Sequence, residues 1–319
     1  MREWRTDLEQ VTAFAPATVT NVSCGFDIFG FALNAPGDEV LVRRIPTPEV
    51  RIRKISGDAG QIPLQTDRNT AGRALRAFWE ALTPPMGFEI EIYKKMAIGT
   101  GLGSSAASAV AAVWAANRFL KQPLQEEALL PFVLEGEKLT SGGSVHADNV
   151  AAALFGGFVL VRTAQPPDII PLHFPRQLRV AVVHPHIELP TWQMRRILRE
   201  QVELKDAVRQ WGNIAAFVAG LQNGDLHLMS RSLQDVIIEP VRGKVIPGYE
   251  AARQAAVENG ALGSGISGSG PSMFALCPSE SVARKAGEAM RAVFHRLNLQ
   301  ADLYLSPINP HGPKILEMR

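Results

Sequence analysis

The sequence predicts an α+β protein in two parts, and three features of the chain point to this class. At 319 residues it exceeds what one ordinary hydrophobic core serves, so two domains are expected. An apolar content of 46% with 20% charged residues is typical of a folded globular protein rather than a disordered one. Runs with strand alternation and runs with helical spacing follow each other in both halves, which predicts mixed sheets with helices packed on them.

The first half of the chain starts with strand patterns and continues with helices. Val11 to Ala15 is predicted as a strand, and residues 16–27 are predicted as a turn-rich loop. Further strands are expected at 39–45, 50–55, 88–93 and 158–162, and helices at 69–82, 104–120, 124–138 and 150–155.

A proline-containing connector at 164–175 is the predicted boundary between an N-terminal domain, 1–165, and a C-terminal domain, 166–319. In the second half, strands are expected at 178–184, 272–277 and 301–306, and helices at 191–208, 211–223, 247–259 and 281–297. We find no internal repeat and no low-complexity tract in the sequence.

The charge pattern argues against a nucleic-acid partner. The formal net charge is only +2, and basic pairs such as Arg43-Arg44 and Arg195-Arg196 are isolated. Aromatic residues make up 7% of the chain and are not interleaved with basic ones, as they would be in a single-strand binding surface.

The terminal segment and the cysteine content predict a cytoplasmic protein with no membrane contact. Met1 to Gln10 is charged and lacks the apolar core of a secretory signal. The longest apolar run, Ala106 to Ala116, is shorter than the ~20 residues that a membrane span needs. Two cysteines, Cys24 and Cys277, form neither a disulfide framework nor a structural zinc site, which fits a reducing compartment.

The most informative segment is a glycine loop that runs into an alanine-rich helix. Gly99, Gly101 and Gly103 alternate before Ser104 and Ser105. Since glycine has no Cβ, the backbone of such a loop can approach an anion closely. The helix that follows supplies unpaired N–H groups and the positive end of its dipole. Together they predict a phosphate cradle.

The spacing of this loop excludes two common nucleotide motifs. It lacks the Gly-Lys-Ser ending of a P-loop, and its third interval does not fit a dinucleotide fingerprint. A turn that only packs a helix against a strand remains an alternative. The two serines could act as N-caps, or one could cap while the other offers its hydroxyl to phosphate or Mg²⁺.

Three glycine-rich segments, in this order, resemble the motifs of the GHMP kinase family. Residues 15–27 resemble the first motif, 101–107 the second and 265–272 the third, so the resemblance covers nearly the whole chain. It implies an N-terminal domain like the second domain of ribosomal protein S5 and a ferredoxin-like C-terminal domain. ATP and substrate are expected between the two. Homodimers are common in this family.

Within the family, the chain resembles the homoserine kinases in four further segments: 25–30, 146–150, 155–157 and 239–247. The resemblance implies ATP-dependent phosphorylation of the side-chain hydroxyl of L-homoserine to O-phospho-L-homoserine, in threonine biosynthesis. Two alternatives are another small-molecule GHMP kinase, such as a mevalonate kinase, and a non-catalytic nucleotide-binding regulator.

Homoserine is a zwitterion with a terminal hydroxyl, so its site needs an acid, a cation and polar groups. Arginine pairs N–H donors on a carboxylate, aspartate holds an ammonium, and asparagine can orient a hydroxyl. Carried over by motif, the expected substrate residues are Asn21, Asp27, His146, Asp148, Asn149, Arg195, Arg242 and Gly268. Asp27 as a turn cap, His146 as a core histidine and Arg242 as a surface charge remain alternatives.

The resemblance also implies the nucleotide site. Its expected residues are Asn69, Met96, Ala97, Ile98, Gly99, Thr100, Gly101, Leu102, Gly103, Ser104, Ser105 and Ala106. Asn69 is placed at the adenine, with helix capping as its alternative. Mg²⁺ is expected on Ser105 and Glu137. Glu135 competes with Glu137, because the segment before His146 is one residue longer than usual.

For the chemistry, the expected catalytic residues are Asn149, Asp148 and Ser105. Phosphoryl transfer passes through a loose transition state, so a strong general base is not obligatory. Asn149 cannot act as a base, and whether Asp148 takes the proton is left open. We expect catalysis by positioning and by the field of Mg²⁺ and the helix terminus. The third loop is expected to line the substrate pocket with backbone amides, with a tight hairpin as the alternative.

Overall fold

The computed structural model describes residues 3–139 and 147–319, which form two β-sheets with helices packed on them. The strands are β1 (Gln10–Thr20), β2 (Phe29–Ile45), β3 (Val50–Ser56), β4 (Gly87–Tyr93), β5 (Phe158–Ala164), β6 (Pro167–Leu172), β7 (Arg179–Pro185), β8 (Gly263–Ile266), β9 (Met273–Cys277), β10 (Ala301–Pro307) and β11 (Lys314–Met318). The helices are α1 (Thr70–Leu82), α2 (Ser104–Asn117), α3 (Glu126–Glu137), α4 (Ala147–Phe155), α5 (Thr191–Arg196), α6 (Leu204–Asn223), α7 (Leu226–Ser232), α8 (Glu239–Arg242), α9 (Tyr249–Glu258) and α10 (Glu280–Arg296).

The larger sheet has the strand order β11-β1-β2-β4-β3, with β5 and β6 added through β2. Strand β2 is 17 residues long, so its first part pairs with β5 while its second part pairs with β4. Strands β3 and β4 run parallel, and α1 makes the crossover between them. The smaller sheet has the order β10-β7-β9-β8, with every neighbouring pair antiparallel.

The smaller sheet and its helices give the βαββαβ chain order of a ferredoxin-like unit. The first strand of that unit, β7, lies beside the last, β10, and β8–β9 is the central hairpin. This is the C-terminal architecture that the family resemblance implies.

Helix α2 is the centre of the larger part of the molecule. Eleven of its residues are buried, and it packs on β1 and β2 as well as on three helices. Small alanine side chains permit this close approach and favour the helical state. One hydrophobic core then continues to the second sheet, where Phe31 meets Phe274 edge-on with ring centroids 6.4 Å apart. In residues 3–139 and 147–319, no helix is long and apolar enough to cross a membrane.

Several elements extend beyond the sequence-based expectations. Residues 16–20, predicted as loop, continue strand β1 to Thr20. Pro16 fits there because the β1–β2 register shifts between Pro16 and Thr18, and such irregularities accommodate proline. The predicted helices 191–208 and 211–223 are divided differently: α5 ends at Arg196, and α6 runs without a break from Leu204 to Asn223.

Other elements were not predicted at all. Strand β8 has the sequence Gly-Ser-Gly-Ile, which carries little strand propensity, yet it is fully buried and pairs with β9. Strands β6 and β11 belong to the larger sheet, where β6 pairs with β5 and β11 pairs with β1. The proposed boundary at 165/166 therefore falls in the turn of the β5–β6 hairpin, and the chain returns to the larger sheet at its end.

Candidate active site

A cavity of about 510 Å³ lies where the three glycine-rich motifs meet. Most residues expected from the sequence line it: Asn21, Asp27, Asn69, Ile98, Gly99, Thr100, Gly101, Leu102, Gly103, Ser104, Ser105, Ala106, Glu137, Asp148, Asn149, Arg195, Arg242 and Gly268. Met96 and Ala97 are not among the lining residues, and Met96 is buried in the hydrophobic core. His146 lies outside the described residues.

The glycine loop has the geometry of an anion cradle. Gly99, Gly101 and Gly103 have φ values of 71°, 76° and 67°, a region that glycine adopts at little cost. A Cβ on Gly101 would lie 2.3 Å from the Ser267 carbonyl oxygen, and one on Gly103 would lie 2.1 Å from Thr18 Oγ1. The positive φ values and the close packing at Gly101 and Gly103 therefore both require glycine.

The N-terminus of α2 opens into the cavity. Its N-cap is Gly103, and no side chain caps this end of the helix in the described part of the chain. The first N–H groups of a helix need partners from outside it, and the dipole favours a negative one. The cradle and the helix end together fit a polyphosphate.

The third loop clamps the glycine loop from the other side. Ser267 Oγ donates to the Gly101 carbonyl (2.8 Å), and the Gly268 amide donates to the Thr20 carbonyl (3.2 Å). The Ser272 amide donates to the Thr100 carbonyl (3.3 Å). We expected these backbone amides to line the substrate pocket, but those of Gly268 and Ser272 bond within the protein. The loop is thus the β8–β9 hairpin and also a clamp on the other two motifs.

A buried ion pair supports the start of α2, and the sequence did not point to it. Lys94 Nζ pairs with Asp38 and also donates to the Ser104 carbonyl (2.9 Å) and to Ser108 Oγ (2.8 Å). Ser104 Oγ donates to Asp38 Oδ2 (2.8 Å). Burial lowers the pKa of Lys94. The Ser104 hydroxyl is therefore part of this support. The only signal in the sequence was a lysine directly after strand β4.

Ser105 and Glu137 both lie on the cavity wall, and each side chain offers an oxygen of the kind that Mg²⁺ binds. The Ser105 hydroxyl donates to Thr70 Oγ1 (3.2 Å), and Glu137 is buried at the end of α3. Glu135 is outside the lining and pairs with Lys138 instead. No cluster of three or more acidic, histidine or cysteine ligands occurs within 3–139 and 147–319. Mg²⁺ commonly takes one or two protein ligands and completes its shell with phosphates and water.

Asn69 caps helix α1, which was the alternative to a contact with adenine. Its Oδ1 accepts from the amides of Ala71 (3.0 Å) and Gly72 (3.1 Å), and its Nδ2 donates to the Pro63 carbonyl (3.1 Å). Asn69 is thus the N-cap of α1. It also lines the cavity, so its contact with adenine stays a prediction.

At the opposite end of the cavity, the first motif forms a strained turn. Asn21 and Asp27 have φ values of 67° and 60°, as do few non-glycine residues. Asn21 Oδ1 accepts from the Asp27 amide (3.0 Å), and its Nδ2 donates to the Gly268 carbonyl (2.6 Å). The two terminal guanidinium nitrogens of Arg195, Nη1 and Nη2, donate to Asp27 Oδ2 (2.7 and 2.9 Å). Asn21 therefore holds the turn, while Arg195 and Asp27 face the cavity as a pair.

Arg242 is a buried cation, not the surface charge that remained an alternative. Its guanidinium donates to the carbonyls of Met194 and Gly268, both at 3.2 Å. Burial lowers the pKa of Arg242 to about 10, so it stays charged near neutral pH. Phe26, for which no role was predicted, lies against both arginines. Its ring centroid is 5.0 Å from the guanidinium carbon of Arg242 and 5.2 Å from that of Arg195.

Asn149 is fixed between the first motif and helix α4. Its Oδ1 accepts from Thr18 Oγ1 (2.7 Å), and its Nδ2 donates to Thr20 Oγ1 (3.2 Å). The neighbouring carboxylate of Asp148 is buried and accepts a hydrogen bond from the backbone N–H of Asn149 (2.9 Å). Strand β1 therefore sets the orientation of the asparagine amide at the cavity wall. The two threonines were not recognised from the sequence, because residues 16–27 were taken as loop.

Comparison with known proteins agrees with this geometry. The family described as GHMP kinases N terminal domain matches residues 69–157, and GHMP kinases C terminal matches 198–296. A homoserine kinase of Chloroherpeton thalassium is 45% identical over 97% of this chain and 100% of its own length. The chain belongs to the GHMP kinase family. A homoserine kinase of Xylella fastidiosa is 43% identical over 96% of this chain and 94% of its own.

Solved structures of GHMP kinases have the same fold. The crystal structure of a homoserine kinase from Cytophaga hutchinsonii is 48% identical, with a TM-score of 0.95 over 98% of this chain and 99% of its own. An L. major mevalonate kinase in complex with R-mevalonate is 18% identical, with a TM-score of 0.72 over 97% and 99%. The second similarity concerns the fold alone. The expected two-domain GHMP kinase fold is confirmed.

Proposed function

We propose that this GHMP kinase transfers the γ-phosphoryl group of ATP to the side-chain hydroxyl of L-homoserine. The product would be O-phospho-L-homoserine, a precursor in threonine biosynthesis. Identities of 45% and 48% to proteins named homoserine kinases, over nearly the full chain, support this substrate. The alternatives that the sequence left open are a mevalonate-type kinase and a non-catalytic nucleotide-binding regulator.

One observation carries the choice of an amino-acid substrate. Four charged residues of the cavity lining lie close together: Arg195 pairs with Asp27, Arg242 shares the Phe26 ring with Arg195, and Asp27 and Asp148 act electrostatically on Arg242. A zwitterion offers a carboxylate to a guanidinium and an ammonium to a carboxylate. Mevalonate carries a carboxylate but no ammonium, so it matches the arginines of this group but not its carboxylates.

For the nucleotide, we assign the phosphates to residues 98–106, which line the cavity at the glycine loop and the start of α2. The open space beside Gly99, the φ values of the three glycines and the N-terminus of α2 without a capping side chain support this assignment. Mg²⁺ would lie on Ser105 and Glu137, where it would neutralise charge on the polyphosphate. Glu137 is preferred to Glu135 because only Glu137 lines the cavity.

In the reaction, we assign the residues of this chain mainly a positioning role. The Asn149 side-chain amide, which Thr18 and Thr20 hold, would orient the substrate hydroxyl toward the γ-phosphate. Charge that develops on the transferred group would be stabilised by the helix terminus and the loop amides. Asp148 would bind the ammonium, and it could also accept the hydroxyl proton.

A cytoplasmic location and a homodimer belong to the same proposal. The cysteines Cys24 and Cys277 are free and buried, which suits a reducing compartment. The homodimer rests on the family resemblance alone. Sedimentation of the purified protein at several concentrations would test it.

The activity is tested by coupled ADP release with a panel of hydroxylated substrates: L-homoserine, mevalonate and galactose. We expect L-homoserine to have the highest kcat/KM. Faster turnover of mevalonate would favour the mevalonate-type alternative. Binding of ATP without ADP release on any substrate would favour the regulator.

A further inference from the structure

Glu239 is a buried carboxylate outside the cavity lining, and no role has been assigned to it above. It is the first residue of the short helix α8, whose last residue is Arg242. The backbone of this segment is fixed by Asp235, whose carboxylate accepts from the amides of Ile237, Ile238 and Glu239 at 2.8 to 3.1 Å. The position of Glu239 is therefore rigidly related to that of Arg242.

The Glu239 carboxylate accepts three hydrogen bonds from three different segments. Its Oε2 accepts from Ser23 Oγ (3.0 Å) and from the Tyr249 hydroxyl (2.9 Å). Its Oε1 accepts from the Ile266 amide (2.8 Å). Buried polar groups with full sets of partners rigidify their surroundings, and they are costly to remove singly.

Two of these donors belong to segments that carry the substrate pocket. Ser23 lies in the strained turn between Asn21 and Asp27, with a φ of 57°. Ile266 precedes Gly268 by two residues, and the Gly268 carbonyl accepts from both Asn21 Nδ2 and Arg242 Nη1. The first motif, helix α8 and the third motif therefore each contact the other two. Glu239 makes the contact of α8 with the first motif and one of its contacts with the third.

The β8–β9 hairpin packs closely on one side of this carboxylate, while another side borders a second cavity of about 320 Å³. A Cβ placed on Gly265 would lie 2.1 Å from Glu239 Oε1. Burial, with Asp235 nearby, raises the pKa of Glu239 to about 7. The buried position disfavours the charged form of Glu239. Its contribution to the site therefore comes from its hydrogen bonds and its shape, and a glutamine can supply both.

We propose that Glu239 is a positioning residue for the amino-acid substrate, holding the turn 21–27, Arg242 and Gly268 in register with one another. This inference rests on the proposed function. The nucleotide end of the cavity has support that involves none of these three segments, the ion pair of Lys94 with Asp38 at the start of α2. Loss of Glu239 should therefore affect binding of the amino-acid substrate more than binding of the nucleotide.

The first test compares Glu239→Ala with Glu239→Gln. The alanine variant should raise the KM for L-homoserine by about 10- to 100-fold, because three donors lose their acceptor. Binding of a non-hydrolysable ATP analogue, measured by calorimetry, should change by less than about threefold. Glutamine should restore most of the affinity, since its oxygen can accept from Ile266 and its amide can donate to the two hydroxyls. Glu258→Ala, at an exposed glutamate of α9, is the control.

The second test uses a matched pair that avoids emptying the buried site. Ser23→Ala and Tyr249→Phe each remove one hydroxyl that donates to Glu239 Oε2. Only Ser23 lies in a substrate-bearing segment, so Ser23→Ala should raise the KM for L-homoserine by about 3- to 10-fold while Tyr249→Phe leaves it within about twofold. Equal effects of the pair, or parallel losses for substrate and ATP analogue, would overturn the proposal.

Failure of this inference differs from failure of the proposed function. If the wild-type protein does not phosphorylate L-homoserine, the function is wrong, and the selectivity of the variants is then judged on the substrate that the panel identifies. If the wild type does phosphorylate it and Glu239→Ala has the wild-type KM, only the positioning role is wrong.

Discussion

The arginines of the cavity differ in how firmly the protein holds them. Arg195 is a partly exposed side chain paired with Asp27, whereas Arg242 is buried, bonded to two carbonyls and stacked on Phe26. A buried guanidinium held by main-chain carbonyls is the better anchor for a substrate carboxylate. We therefore expect the substrate carboxylate on Arg242.

Arg242→Ala should raise the KM for L-homoserine by about 100-fold, because the charge-assisted contact to the carboxylate is lost. Affinity for ATP should stay nearly constant. Arg242→Lys is the matched variant, since it keeps the charge but loses the planar fork, and it should recover only part of the affinity. Steady-state kinetics with each substrate varied in turn is the measurement. An equal loss for both ligands would contradict a role in carboxylate binding.

The two serines at the start of α2 should behave differently. Ser105→Ala should lower kcat by about 100-fold if its hydroxyl serves Mg²⁺ or transition-state charge. Ser104→Ala removes a hydroxyl bonded to Asp38 and should cost about 1 kcal/mol of stability with a much smaller effect on kcat. Single-turnover rates and urea unfolding of both variants separate these effects. A near-normal rate for Ser105→Ala would limit that serine to a structural role in the helix start.

His184 gives a dependence of stability on pH. This buried imidazole has Nδ1 3.2 Å from Ser272 Oγ, and burial lowers its pKa from 6.5 to about 4. Because the folded protein binds this proton less well than the unfolded chain, the contribution is complete above pH 6.5 and is lost as pH falls toward 4. The loss is at most about 3 kcal/mol.

The measurement for His184 is urea unfolding at pH 7.5, 5.5 and 4.5 for wild type and His184→Gln. The free energy of unfolding of wild type should exceed that of His184→Gln most at pH 7.5, and this difference should become smaller at lower pH. Subtraction removes the contribution of groups common to both proteins, including Glu239, whose raised pKa acts in the opposite direction between pH 4.5 and 7. A pH-independent difference would show that His184 does not titrate as we infer.

At the scale of elements, α2 and the strands on which it packs form the end of the cavity that we propose for the nucleotide. Lys94 follows directly after the end of β4, where the chain turns into the glycine loop. Its side chain forms an ion pair with Asp38 beside the first turn of α2. Both side chains are almost fully buried. A buried pair of this kind costs stability to assemble and is strongly destabilising to break singly.

Asp38→Ala should lower the free energy of unfolding by about 3 to 5 kcal/mol, because Lys94 is left charged without its counter-ion. The double variant Asp38→Ala with Lys94→Met should be less destabilised than the sum of its single changes. Glu39→Ala is the control, since its pair with Lys95 is 3.9 Å long and more exposed, and it should cost less than about 1 kcal/mol. Additive single effects would show that the buried pair is not coupled.

Sequence patterns predicted the long, regular elements best. Helix α1 is amphipathic and begins at an asparagine cap, and both are local signals. Strand β8 carries no local signal, because two of its four residues are glycine; its pairing with β9 and its burial make it a strand. The predicted bounds of β1 were also too short, because Thr18 and Thr20 pair with Ala32 and Gly30 of β2, a partner far along the chain.

At the scale of the whole molecule, the site is assembled from segments far apart in the chain. Asn21 Nδ2 and the Gly268 carbonyl are separated by 247 positions, and Thr18 and Asn149 by 131. The shared core of aromatic side chains between the two sheets keeps these segments together, as in the pair Phe31–Phe274 with ring centroids 6.4 Å apart. Cavity shape therefore depends on packing well outside its lining.

The sequence by itself determined the family, the order of the three motifs, the glycine positions of the loop and most of the cavity lining. These features depend on residue type and on spacing over a few positions, because φ preferences and helix starts are short-range properties. Only the tertiary structure decided which polar groups are already occupied: the amides of Asn21 and Asn69, the clamp at Gly268, and the buried charges of Lys94 and Glu239. The physical reason is that a hydrogen bond or a buried pair requires two groups to meet in space, and folding alone brings such distant positions together.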